Sequence, residues 1–108
     1  MSFYTPEEWI IVKINSVSPH YRIFGSWRGS YTGSDSWRMN SGVTAVEVIG
    51  DYYMFNGSSG SIYKCHKKTY GIRSPYNASV LAEYKAKGKK MFKVFSKMPK
   101  ILAMDWLI

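Results

Sequence analysis

The stretch Tyr52-Tyr53-Met54-Phe55-Asn56-Gly57-Ser58-Ser59-Gly60-Ser61-Ile62-Tyr63-Lys64-Cys65-His66-Lys67 decides the fold. Two runs rich in aromatic and apolar side chains flank a Gly/Ser turn, which is the pattern of a β-hairpin. In the second run Ile62, Lys64 and His66 share one face and Tyr63 and Cys65 the other, an alternation that belongs to a half-buried strand. Upstream, Val43 to Ile49 reads as a further strand, closed by a Gly50-Asp51 turn. Trp9 to Ile14 is β-branched and pairs with His20 to Phe24 across a Ser18-Pro19 turn. Downstream, Ser74 caps a helix with Pro75 in its first position and Gly88 just past its end. Val80, Leu81 and Tyr84 give that helix one apolar stripe. Met91 to Phe95 alternates again as a late strand.

These elements predict an α+β fold: a curved antiparallel β-sheet, a meander or partly open barrel of about five to seven strands. One α-helix, about residues 75–87, packs across it. Residues 1–108 form a single domain, the size at which a modest core needs no disulfide. The apolar segment 97–108 carries Trp106 and must be buried, in the sheet or as an oligomer contact. Cys65 is the lone cysteine, so no internal disulfide forms and a reducing compartment is expected. One cysteine and two distant histidines assemble no metal site. Glu7 and Glu8 stand where a signal peptide would be basic, and no apolar run reaches membrane-spanning length. A cytoplasmic protein without membrane or cofactor is expected.

The net charge of +8 is unevenly spread. Residues 1–54 carry four cations against five carboxylates, and residues 55–108 carry eleven cations against Glu83 and Asp105. The first half is dominated by Arg, suited to stacking and bidentate contacts. The second is almost all Lys, which supplies diffuse positive potential.

The first half also holds a doubled motif, Ser26-Trp27-Arg28 and Ser36-Trp37-Arg38, separated by Gly29-Ser30-Tyr31-Thr32-Gly33-Ser34-Asp35. Two Trp rings suit bases, two Arg suit phosphates, and Tyr31, Ser34, Asp35 and Ser36 supply a polar lining. The competing reading packs both Trp inward as a lid and pairs both Arg with Asp35 and Glu47. The turn Gly57-Ser58-Ser59-Gly60-Ser61 lacks the Lys and helix of a P-loop, although Ser59 and Ser61 could hold a phosphate beside backbone amides. Lys64, Lys67, Lys68 and Arg73 form a basic surface interleaved with Tyr63 and Tyr70, the composition of a single-stranded nucleic-acid surface or of a solvated strand edge. Catalysis finds little support: Cys65 and His66 are adjacent on a strand and point to opposite faces, the carboxylates show no paired spacing, and a nuclease or hydrolase would have to be assembled from scattered groups.

The run Tyr21 to Tyr31, then Gly33-Ser34-Asp35-Ser36-Trp37-Arg38-Met39-Asn40-Ser41-Gly42-Val43, resembles a family of small uncharacterised proteins of large tailed bacteriophages. Ser59-Gly60-Ser61-Ile62-Tyr63 and Tyr70-Gly71-Ile72 are similar to later segments of that family, so the resemblance spans about residues 9–85. The Lys-rich C-terminal part departs from it. The resemblance implies a phage anti-defence protein in the host cytoplasm. The expectation is a non-enzymatic homo-oligomer that sequesters a host immune signalling nucleotide, a cyclic oligonucleotide or cyclic ADP-ribose. The alternatives are a basic nucleic-acid-binding β-barrel, or an inhibitor that binds a host defence protein directly.

Overall fold

A computed structural model describes residues 2–29 and 33–106. Eight strands and one helix follow in the order β1 (Ser2–Tyr4), β2 (Glu8–Ile14), β3 (His20–Trp27), β4 (Ser36–Met39), β5 (Val43–Ile49), β6 (Tyr52–Gly57), β7 (Ser61–His66), α1 (Pro75–Gly88) and β8 (Phe92–Phe95). Short 3-10 turns occupy Lys89–Met91 and Ile101–Ala103.

The α+β class and the single helix across a sheet are as expected. The strands divide into two four-stranded sheets, ordered β1-β7-β6-β5 and β4-β3-β2-β8, which do not close into a barrel. Among the described strands the pairings are antiparallel except that of β1, which lies parallel to β7 with Ser2 opposite Ser61; a single parallel bridge also joins Trp9 of β2 to Tyr70.

The chain passes between the sheets at Asn40-Ser41-Gly42. Asn40 is buried and continues the β3 pairing by hand: its N–H donates to the Ile23 carbonyl at 3.1 Å and its Oδ1 accepts from the Ile23 N–H at 2.8 Å. Gly42 then takes φ +146°, a conformation that side-chain-bearing residues avoid.

Three layers result. Between the sheets lie Trp9, Ile11 and Ile23 from one and Val43, Phe55, Tyr63 and Cys65 from the other. The opposite face of the second sheet, with Ile10, Val12, Phe24 and Phe92, packs against Leu81 of α1. The outer face of the first sheet has no layer over it among the described residues.

Residues 97–108 were expected to complete the sheet or meet a second subunit. The structure instead turns Ile101 and Trp106 into the inter-sheet core, where Trp106 Nε1 donates to the Ile101 carbonyl at 3.1 Å. Helix α1 begins as its residues require: Ser74 Oγ accepts from the Asn77 N–H, and Pro75 opens the first turn. Its end differs. Gly88 is still helical and Lys89 takes the positive φ of 52°. Glycine is required at position 88 by proximity, because a β-carbon there would stand 2.5 Å from that of Phe92.

Candidate functional site

The doubled motif does not form a cage. Its two copies are neighbouring antiparallel strands, β3 and β4, in a register that sets Ser26 opposite Trp37 and Trp27 opposite Ser36. Directly opposed residues share a face and successive residues alternate, so the two Trp rings point to opposite sides of the sheet and cannot bracket one base. Trp37 turns towards the helix. It stacks on Phe24 with centroids 5.3 Å apart and planes 7° apart, and meets Tyr84 edge-on at 5.6 Å. Trp27 turns the other way, over Gly25 and Pro6, and its Nε1 donates to the Thr5 carbonyl at 3.1 Å. Arg38 shares the Trp27 side and lies over the Tyr4 ring at 4.5 Å. Arg28 has its backbone N–H on Glu7 Oε2 at 3.4 Å and an exposed side chain. The inward-packing alternative is therefore half right: Trp37 packs, but neither Arg pairs with Asp35 or Glu47 among the described ion pairs.

Asp35 latches the loop to the helix cap. Its Oδ1 accepts from the Gly29 N–H at 3.0 Å, and its Oδ2 accepts from Ser74 Oγ at 2.5 Å. The Ser74 hydroxyl, then the Gly29 amide, hold the Asp35 carboxyl below its ordinary range. Beside it, Asn77 is fully buried and its Nδ2 donates to Ser26 Oγ and to the Ser36 carbonyl, both at 2.7 Å. Ser34 and Ser36 are exposed, and Tyr31 lies outside the described residues.

Ser59 and Ser61 belong to the β6–β7 turn, which is tied to the inter-sheet corner. The Ser59 N–H donates to Ser41 Oγ at 3.1 Å, Ser41 and Ser58 share a 2.7 Å hydroxyl contact, and Ser59 and Ser61 a 3.5 Å one. They line the turn away from Trp37, so the predicted ligand set splits into separate parts.

The basic surface is also rearranged. Tyr63 and Tyr70, expected among the cations, are inward. Burial raises the Tyr63 hydroxyl above its ordinary range and pushes that of Tyr70 up to about 12. Tyr70 Oη donates to the Phe95 carbonyl and accepts from the Ile11 N–H. Arg73 is structural: its backbone N–H and Nη1 both donate to the buried Glu8 carboxylate, at 2.9 and 3.1 Å. Lys67 lies over the Tyr53 ring, and Lys68 is exposed at the end of β7.

Lys64 stays on the open outer face of the first sheet, with His66 and Ile62 as the alternation predicted. The register completes that face in cross-strand rows: Ala45, Asn56, Ile62 and Phe3; then Glu47, Met54 and Lys64; then Ile49, Tyr52 and His66. Lys64 Nζ sits 4.4 Å from the Tyr52 centroid, and the His66 ring meets Tyr52 edge-on at 5.0 Å. Phe3 is 62% exposed and Ile49 56%. Sequence alternation placed Ile62, Lys64 and His66 together but did not give their neighbours on β1, β5 and β6, nor show that the face has no cover. A second concavity of about 360 Å³ runs between β4 and α1, lined by Trp37, Tyr76, Val80, Glu83, Tyr84 and Lys87.

Among the described residues no group of three His, Cys, Asp or Glu side chains could hold a metal ion, and no helix is long and apolar enough to cross a membrane. No protein-family model, curated protein or solved structure matches the chain.

Proposed function

We propose that this protein binds single-stranded nucleic acid across the open face of the β1-β7-β6-β5 sheet. One observation carries the reading: an uncovered sheet face bearing the exposed Phe3 ring and a Tyr52–Lys64–His66 cluster, on a chain of net charge +8. Aromatic rings on a sheet accept unstacked bases whatever their identity, and neighbouring cations take the phosphates. An isolated surface aromatic needs no explanation, but a sheet face left open with rings, a cation and an imidazole in contact suits this ligand.

The test is fluorescence anisotropy of a labelled oligothymidylate at two salt concentrations. Each base stacked on a ring contributes about 1–3 kcal/mol, so Tyr52→Ala and Phe3→Ala should each weaken binding by about 5- to 150-fold. Wild-type affinity should fall steeply with salt. Unchanged affinity in both variants, or no binding by the wild type, would sink the proposal.

A second reading has its own observation. The groove beside Trp37 offers three aromatic side chains and a volume of about 360 Å³, within the range of small-ligand sites. Capture of a signalling nucleotide, as the phage resemblance implies, would use this groove and not the Trp27–Trp37 pair. Thermal stability against cyclic di- and trinucleotides tests it: a ligand at 100 times its Kd adds about 2.7 kcal/mol, and no shift with any of them removes the reading.

A further inference from the structure

On the second sheet two lysines lie where a fold would not choose to put them. Lys13 of β2 is directly opposite Lys93 of β8, and on its other side opposite Tyr21 of β3. The row Tyr21–Lys13–Lys93 thus crosses three strands on one face. Like charges directly opposed in antiparallel strands are destabilising. The ion pairs Glu8 with Arg73 and Glu83 with Lys87 include neither lysine.

The two ammonium groups are instead held over aromatic faces, Lys13 Nζ at 5.6 Å from the Tyr21 centroid and Lys93 Nζ at 5.1 Å from the Phe95 centroid. Tyr21 and Phe95 are themselves packed together, with centroids 5.9 Å apart. They are anchored to the inter-sheet core, Tyr21 through an edge contact with Trp106 at 5.1 Å. The rings therefore fix both stems while contributing no full negative charge. At the strand end beside them the Asn15 N–H donates to the Met91 carbonyl at 2.7 Å and Asn15 Nδ2 to that of Lys90 at 3.2 Å, docking the Lys89–Met91 turn there. Lys13 is half-buried and Lys93 exposed, so a ligand can reach both.

We infer that Lys13 and Lys93 form a site for two adjacent phosphates. Two ammonium groups on neighbouring strands match a ligand with anionic groups in series, and one that spans both turns the native repulsion into attraction. The chemistry is shared by free oligophosphates and by the backbone of a nucleic-acid strand. This site lies on the other sheet from the face proposed above and does not depend on it.

The experiment is thermal unfolding at low salt, with and without inorganic tripolyphosphate, of the wild type, Lys13→Thr, Lys93→Thr and the control Lys85→Gln. Tripolyphosphate should raise the Tm of the wild type and of the control. Each Thr variant should melt about 1–5 °C higher than the wild type without ligand, because the repulsion is gone, and should lose the response to tripolyphosphate. This pairing of higher stability with lost response is not what a merely structural lysine gives. Anisotropy of the same variants with the oligothymidylate identifies the source. Weakened oligonucleotide binding assigns the site to a strand backbone, and unchanged binding assigns it to a free oligophosphate. An equal tripolyphosphate response in wild type and both Thr variants, or none in the wild type, would overturn the inference.

Discussion

The hydroxyl of Ser74 donates to the carboxylate of Asp35 at 2.5 Å while accepting from the Asn77 N–H at 3.2 Å, so the cap of α1 and the loop between β3 and β4 share one hydrogen-bond chain. A feature that reads in sequence as ligand-binding chemistry is here the fastening of helix to sheet.

Asp35 should therefore govern acid stability. Its folded carboxyl titrates below the ordinary value of 3.8, so its contribution is complete above that pH and is lost as pH falls through the depressed value. Asp35→Asn should lower the Tm at neutral pH and show a shallower loss of stability below about pH 4. Thermal unfolding from pH 7 to pH 2.5 checks this. Parallel curves for variant and wild type would refute the latch.

Glu8→Ala should destabilise by about 1–3 kcal/mol, because it strips the Arg73 backbone N–H and guanidinium of their shared acceptor. Arg73→Ala should cost less, since the backbone N–H of residue 73 still donates to Glu8 Oε1 after the substitution. Urea titration of both variants measures the asymmetry, and equal costs would contradict it.

Trp37→Ala should cost about 2–3 kcal/mol through loss of the Phe24 stack and the Tyr84 contact, whereas Arg28→Ala should stay within about 0.5 kcal/mol. The same urea titration reads both. A neutral Trp37→Ala would mean that the ring does not hold helix to sheet.

Removal of residues 97–108 should cost more than any of these, because Ile101 and Trp106 fill the core between the sheets. A truncated chain that keeps the wild-type Tm would show that the segment packs elsewhere.

The hairpin and helix were legible because their signals are local. The alternation of Ile62 to His66 and the Ser74-Pro75 cap each specify a conformation within a few residues. The β2–β3 hairpin of the second sheet was legible, but the division into two sheets was not, because it depends on where Asn40 bonds, and its partner Ile23 is distant in the chain. β1 was missed for the same reason, as three residues carry no period and Ser2 finds its partner at Ser61. The doubled motif misled because repetition along a chain says nothing of register. Antiparallel pairing of Ser26 with Trp37 sends equivalent residues to opposite faces. The open face was legible only in Ile62, Lys64 and His66; the register adds the rest, and the layers reveal that no described element covers them.

The parallel strand Ser2–Tyr4 has a consequence for the order in which the molecule assembles and comes apart. It is synthesised before β7 and has nothing to pair with until that strand exists, and it then stands at a sheet margin. Three residues held along one side, with Phe3 largely in water, are the segment with least to lose on release. When they lift away, β7 becomes the new margin and Ile62 loses its neighbour. Local opening of β1 should therefore narrow the exposed sheet before the rest unfolds, and earlier amide hydrogen exchange at β1 and β7 than in the core strands is the outcome that checks it.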